Sequence, residues 1–382
     1  MVAQSVSGEQ HSKNIGFLPS PGKKQPIGFC RFQLFDAARK ERFNSGMNRQ
    51  FEVLVWYPGE MENTQRKEYL SGHNIDKLFF LNHKFGRKKV KEAVSQIKTN
   101  SFVEIPVSDY RKRYPVLLFS HDIGMLPEYY SALMEHLASE GYFVFSINHP
   151  YLSEACSIDP ASTKKNTTVT CKNKIAALSA FLSFRARKLL VGKSYSEKWT
   201  ISKQLLSGWH SLAKINSDLT LDKSFLLTFL EQLNTKFFNK NSPYSIFSNR
   251  MDLSRVGVIG HGWGGTSAVH SIIKDNRIKA AVNLDGFQFC NALNDTIDKP
   301  LLMIYSEKYT GINEGIYFCS SDYNAFTIKN SRHNSFTDWP HLSDKNMQDG
   351  QALYETLNLV IHFLDRYLKK VDHLSFMHAN SK

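Results

Sequence analysis

The sequence predicts an α/β fold, with a mostly parallel central sheet, helices on both faces and a helical insertion. Three observations carry this expectation. From residue 114 onward, short continuous apolar runs alternate with helical stretches, as strands of a parallel sheet buried on both faces do. One of these runs, residues 256–259, passes through the glycine-rich turn Gly260-His261-Gly262-Trp263-Gly264-Gly265 into a helix. An acid, Asp285, then ends the next run, and a histidine, His333, follows the last one.

Taken in order, residues 1–26 carry Gly, Ser, Pro and Lys without periodicity and are expected as a loose arm. Segments 27–35 and 50–57 alternate like antiparallel edge strands. Residues 59–100 are polar with one helical stretch and are expected at the periphery, followed by a short strand over 101–107. Residues 116–119 give the first parallel strand, leading into Ser120-His121-Asp122-Ile123-Gly124. A helix over 127–139 stops at Gly141, and a strand covers 142–147. Residues 151–250 are helical and Lys-rich and are expected to cap the strand ends. Their apolar positions, among them Leu178, Phe181, Leu182, Phe184, Trp199 and Trp209, either line an acyl-binding wall or form the insertion's own core. A helix over 219–233 precedes the turn's strand and another, over 266–273, follows the turn. Strands at 278–284, 300–305 and 325–328 and a closing helix at 351–367 complete one domain over 27–370, with a tail at 371–382.

Length and composition suit one large core. No run of eighteen apolar residues marks a membrane helix, and the N-terminus lacks the charged-then-apolar profile of a secretory signal. The expected location is therefore cytoplasmic, or outside the cell by a route without a cleaved signal. The five cysteines show neither a C-x-x-C pair nor metal-like spacing with histidines, so no metal and no cofactor are expected. A formal charge of +13 raises the question of an acidic partner. Nucleic acid is not expected; the basic stretch 83–91, with Leu78, Phe79 and Phe80 just upstream, suits peripheral contact with an anionic membrane.

The glycine turn has the shape of a G-x-S-x-G nucleophile elbow, in which a strained strand-to-helix bend exposes a serine. Here Gly262 stands at the serine's position and cannot attack a carbonyl. In hydrolases built this way the nucleophile, acid and histidine follow in that chain order at strand ends; Gly262, Asp285 and His333 meet that order. The expected oxyanion donors are the backbone N–H groups of Trp263 and Ile123. Asp122 lies beside them, where a carboxylate would oppose a developing oxyanion. Taken singly, Asp285 reads as a turn cap and His333 as a surface histidine. A nucleotide-binding turn would also place an acid about twenty residues on, and Asp285 satisfies that spacing, but His333 then has no role. A displaced nucleophile at Thr266, Ser267 or Cys290 would need a rearranged site.

Together with Trp56-Tyr57-Pro58, residues 114–121, Asn283-Leu284-Asp285-Gly286 and residues 333–338, these motifs resemble the plasma-type platelet-activating factor acetylhydrolase family, the lipoprotein-associated phospholipases A2. The resemblance implies an α/β-hydrolase fold and a metal-free Ser-Asp-His triad releasing short or oxidised acyl chains from phospholipids. It maps the serine to Gly262, the acid to Asp285, the histidine to His333 and the second oxyanion donor to Ile123. It also places a glycine where this chain has Asp122. The expectation is a phospholipid- or ester-binding pseudoenzyme, with an active carboxylic-ester hydrolase as the alternative, its serine displaced or deliberately replaced.

Overall fold

A computed structural model describes residues 18–22, 25–60, 65–158, 167–207, 210–235, 244–288, 296–314, 322–342 and 347–371. Most of the N-terminal arm, the tail beyond 371, Trp209 and Cys290 lie outside the described residues.

The strands are β1 (Ile27–Glu41), β2 (Asn44–Pro58), β3 (Arg66–Glu68), β4 (Lys98–Val103), β5 (Tyr114–Ser120), β6 (Phe143–Asn148), β7 (Cys156–Ile158), β8 (Thr167–Val169), β9 (Met251–His261), β10 (Ile278–Leu284), β11 (Leu301–Ser306) and β12 (Tyr323–Ile328). Ten of them form one mixed sheet in the order β12-β11-β10-β9-β5-β6-β2-β1-β4-β3. From β12 to β6 every pairing is parallel, so the loops that follow β5, β9, β10 and β12 leave from one edge. That edge carries the site.

The expectation of edge strands at 27–35 and 50–57 is corrected: they pair antiparallel, but β2 lies between β6 and β1, and β1 between β2 and β4. The reason is in the residues. Phe51-Glu52-Val53-Leu54-Val55-Trp56-Tyr57 is buried on both faces, and its single charge, Glu52, is held by Arg31 at 3.3 Å and Asn148 at 3.2 Å. The edges are instead the three-residue β3 and the half-exposed β12, and short edges expose few unpaired backbone groups.

The helices are α1 (Phe79–Phe85), α2 (Arg87–Gln96), α3 (Ser131–Ser139), α4 (Asn173–Leu190), α5 (Tyr195–Ser207), α6 (His210–Thr235), α7 (Trp263–Lys274) and α8 (Met347–Leu364). Alternate residues of β5 feed two cores, as a period of two requires. Val116 and Leu118 pack with Leu226, Leu230, Ala268 and Val269 of α6 and α7. Leu117 and Phe119 pack with Leu133, Leu137, Leu357 and Val360 of α3 and α8. Helix α6 contains the helix expected over 219–233 and packs on the sheet as one of its layers. Helices α4 and α5 are more peripheral: Phe181 and Phe184 are exposed, and Lys198 reaches Glu314, beyond β11, at 2.5 Å.

A buried ion network ties α6 to the antiparallel part of the sheet. Asp222 accepts from Arg49 Nη2 at 2.6 Å, Arg39 Nη2 at 2.9 Å and His149 Nδ1 at 2.8 Å. Burial would raise this carboxyl, but the Arg49 charge and the hydrogen bonds hold it far below the usual range. Removing one partner of a buried pair strands the other charge. Asp222→Ala is expected to cost about 3–5 kcal/mol, read as a lower urea midpoint; a change below about 1 kcal/mol would show the network to be dispensable.

Candidate active site

Strand β9 ends at His261 and α7 begins at Trp263, so Gly262 alone makes the bend, with φ 54° and ψ −118°. Its N–H is fixed by the Leu284 carbonyl at 2.9 Å. Gly264 lets the helix pass the end of β5, where a Cβ would lie 1.9 Å from the Ser120 carbonyl oxygen. An elbow backbone is thus present, and its tip carries no side chain.

Asp122 occupies the place above that tip. A Cβ on Gly262 would meet the Asp122 carboxylate at 2.2 Å. Oδ1 of Asp122 accepts from the Trp263 N–H at 2.8 Å, and Oδ2 is 3.0 Å from His333 Nε2. The carboxylate therefore fills the space above the bend and takes the N–H of the residue that follows it. The loop that delivers it is pinned by Gly124 N–H to the Leu152 carbonyl at 2.7 Å, by Gly124 at φ +78° and by Asp122 N–H to Tyr130 Oη at 3.3 Å. Ile123, the residue expected to donate the second N–H, has its side chain in the core.

Asp285, at the end of β10, adopts φ 54°. Ser306 holds it there, with N–H to Oδ1 at 2.6 Å and Oγ to Oδ2 at 2.7 Å. His333 Nδ1 reaches Asp285 Oδ2 at 2.8 Å. The structure thus brings Gly262, Trp263, Asp285 and His333 together, with Asp122 as a fifth member. Both nitrogens of His333 face carboxylates and both donate. Burial opposes its charge, but the bonds and charges of Asp122 and Asp285 outweigh that and push its pKa up to about 10. Burial would likewise raise Asp122, yet the hydrogen bond and charge of His333 hold it below the usual carboxylate range. A triad histidine that must accept a proton is here already protonated at neutral pH.

Two supports complete the framework. Tyr130 Oη meets His261 Nδ1 at 2.8 Å, and His261 Nε2 donates to the His333 carbonyl at 2.9 Å. Asp338 caps α3, accepting from Ser131 N–H at 2.8 Å and Ala132 N–H at 3.1 Å, which locks the histidine loop to the helix after the Asp122 loop. Ligand-capable atoms of Asp122, His261 and His333 lie within 4.8 Å of one another. Both His261 nitrogens are already engaged, by Tyr130 Oη and by the His333 carbonyl, and its ring lies over that of His333 at 4.3 Å and 31°.

Nor do the displaced hydroxyls reach the site. Thr266 Oγ1 donates to the Phe287 carbonyl at 2.7 Å and Ser267 Oγ to the Gly264 carbonyl at 2.8 Å, both fully buried. A complete serine–histidine–aspartate chain does exist elsewhere: Ser120 Oγ lies 2.9 Å from His149 Nε2, which leads on to Asp222. All three have 0% exposure, so this chain ties β5, β6 and α6 together and meets no solvent.

The family model described as platelet-activating factor acetylhydrolase, isoform II, matches residues 43–353. The chain belongs to this family. Family relatives include the platelet-activating factor acetylhydrolases of Gallus gallus, 28% identical over 61% of this chain and 54% of that protein, and of Cavia porcellus, 25% identical over 83% and 70%. A probable 1-alkyl-2-acetylglycerophosphocholine esterase of Arthroderma benhamiae is 21% identical over 60% and 50%. The chain thus spans about half the length of several relatives it matches. Among solved structures, a ferulic acid esterase from Streptomyces cinnamoneus superposes with a TM-score of 0.69 at 20% identity, covering 94% of this chain and 95% of that one. The platelet-activating factor acetylhydrolase family chain accordingly has the α/β-hydrolase fold.

The charged histidine makes a pH prediction. His333 rises from an ordinary 6.5 to about 10, so its stabilising contribution is full below 6.5 and lost as pH climbs through about 10. The melting-temperature difference between the natural protein and His333→Gln is expected to shrink from pH 6.5 to 10. A difference constant over that interval would show the imidazole to be neutral.

Proposed function

We propose that this member of the platelet-activating factor acetylhydrolase family binds a phospholipid or small ester without hydrolysing its acyl ester. One observation carries the reading: the Asp122 carboxylate fills the space above Gly262 and takes the Trp263 N–H. Loss of a triad serine lowers turnover by roughly a million-fold, leaving what the oxyanion hole supplies. That remainder is opposed here. The Asp122 carboxylate takes the Trp263 N–H that would otherwise meet a developing oxyanion.

Natural protein is expected to give no hydrolysis of an acetylated phospholipid above a heat-treated control, and measurable turnover would overturn the reading. Gly262→Ser alone is expected to remain inactive, because its Cβ meets Asp122 at 2.2 Å. Gly262→Ser with Asp122→Gly frees both the tip and the donor, and is expected to exceed the single variant by about a hundredfold or more.

A lipid partner is supported further by α1. Phe79 is 58% exposed, and its ring meets that of Phe80, which packs against Gly124 in the Asp122 loop. We propose that this apolar tip, beside the basic stretch 83–91, touches an anionic surface. Phe79→Ser is expected to lower co-sedimentation with phosphatidylserine vesicles severalfold; unchanged binding would remove α1 from the contact.

A further inference from the structure

We propose that Asp122 is itself a nucleophile, and that this site opens small epoxides by forming an alkyl ester on the Asp122 carboxylate and then hydrolysing it. A carboxylate is poorly suited to acyl esters, since attack there makes a mixed anhydride and must expel an alkoxide. Against an oxirane carbon the same group releases ring strain and forms an ordinary ester, so a carboxylate nucleophile selects the electrophile.

The geometry assigns each atom a part. Oδ1 sits on the Trp263 N–H at 2.8 Å and Oδ2 beside His333 Nε2 at 3.0 Å. Gly262 adds no side chain at this point, and the Asp122 and His333 side chains keep 12% and 31% of their surface exposed, so a small molecule has access to the pair. In the first step Oδ2 forms a bond to an oxirane carbon; the ring C–O bond breaks, and its oxygen takes the proton of His333 Nε2. The products are a hydroxyalkyl ester of Asp122 and a neutral imidazole, which Asp285 and Ser306 keep in place. With one of its two anionic neighbours esterified, His333 becomes a base. It takes a proton from water, the hydroxide adds to Cγ, and negative charge develops on Oδ1, which already faces the Trp263 N–H. Collapse breaks the Cγ–Oδ2 bond. The diol leaves with Oδ2 and a proton from the imidazolium, and the new carboxylic acid returns its proton to His333. Epoxide and water have become a diol, and the site has regained its charges. The protonation that stops a serine triad thus supplies the acid of the ring opening.

The test uses the full chain, 1,2-epoxyhexane and water enriched in oxygen-18. The expected results are diol formation, one heavy oxygen in the peptide containing residue 122, and ordinary oxygen in the first-turnover diol. His333→Gln, which removes the proton donor of the ring opening, and Asp122→Asn, which removes the attacking oxygen, are each expected to lose both diol formation and the label at residue 122. No diol and no label in the natural protein would overturn the proposal, as would heavy oxygen appearing in the diol and never at residue 122. Neither result would touch the acyl-ester reading, which fails only if acetylated phospholipid is hydrolysed.

Discussion

A cation held between two carboxylates organises this edge of the molecule. His333 bonds Asp285 on one side and Asp122 on the other, at 2.8 and 3.0 Å, and every loop that delivers these residues leaves the same end of the parallel strands. The arrangement satisfies itself electrostatically: two anions share one cation, and a backbone N–H takes the remaining oxygen. Buried charges persist only when paired and hydrogen-bonded in this way. Gly262 and Asp122 are consequently one feature rather than two. A side chain at the first would collide with the second, and a glycine at the second would leave the Trp263 N–H facing a gap.

The framework around the charges is built from contacts outside the bend. Ser306 holds Asp285 in a left-handed conformation, Tyr130 and His261 brace the carbonyl of His333, and Asp338 ties the histidine loop to α3. None of these contacts needs a serine at the tip. The contacts that hold the acid and the histidine are therefore independent of what stands at the bend.

Much of this was legible in the chain. The apolar run 278–284 coincides with β10, because a strand buried on both faces leaves a continuous signal. Gly262, Asp285 and His333 were readable from order and strand-end placement. The rest depended on distance in sequence. Asp122 stood out as an unwelcome charge, but its partner lies 211 residues away, and nothing local announces that pairing. Ser306 ends a strand like many other serines, and its two bonds to Asp285 exist only because β11 lies beside β10. Segments 27–35 and 50–57 pair antiparallel as their alternation suggests, but they lie inside the sheet because Phe51 to Tyr57 is buried on both faces. The helix expected over 219–233 lies within α6, whose Leu226, Leu227 and Leu230 share one buried face.

The bend at residue 262 carries one more consequence. At a positive φ an ordinary side chain pays a conformational penalty of about 1–2 kcal/mol, whereas glycine pays almost none. Enzymes accept such tension at their reacting residue and offset it elsewhere in the fold. Here glycine makes the bend, so the fold carries none of that cost at residue 262.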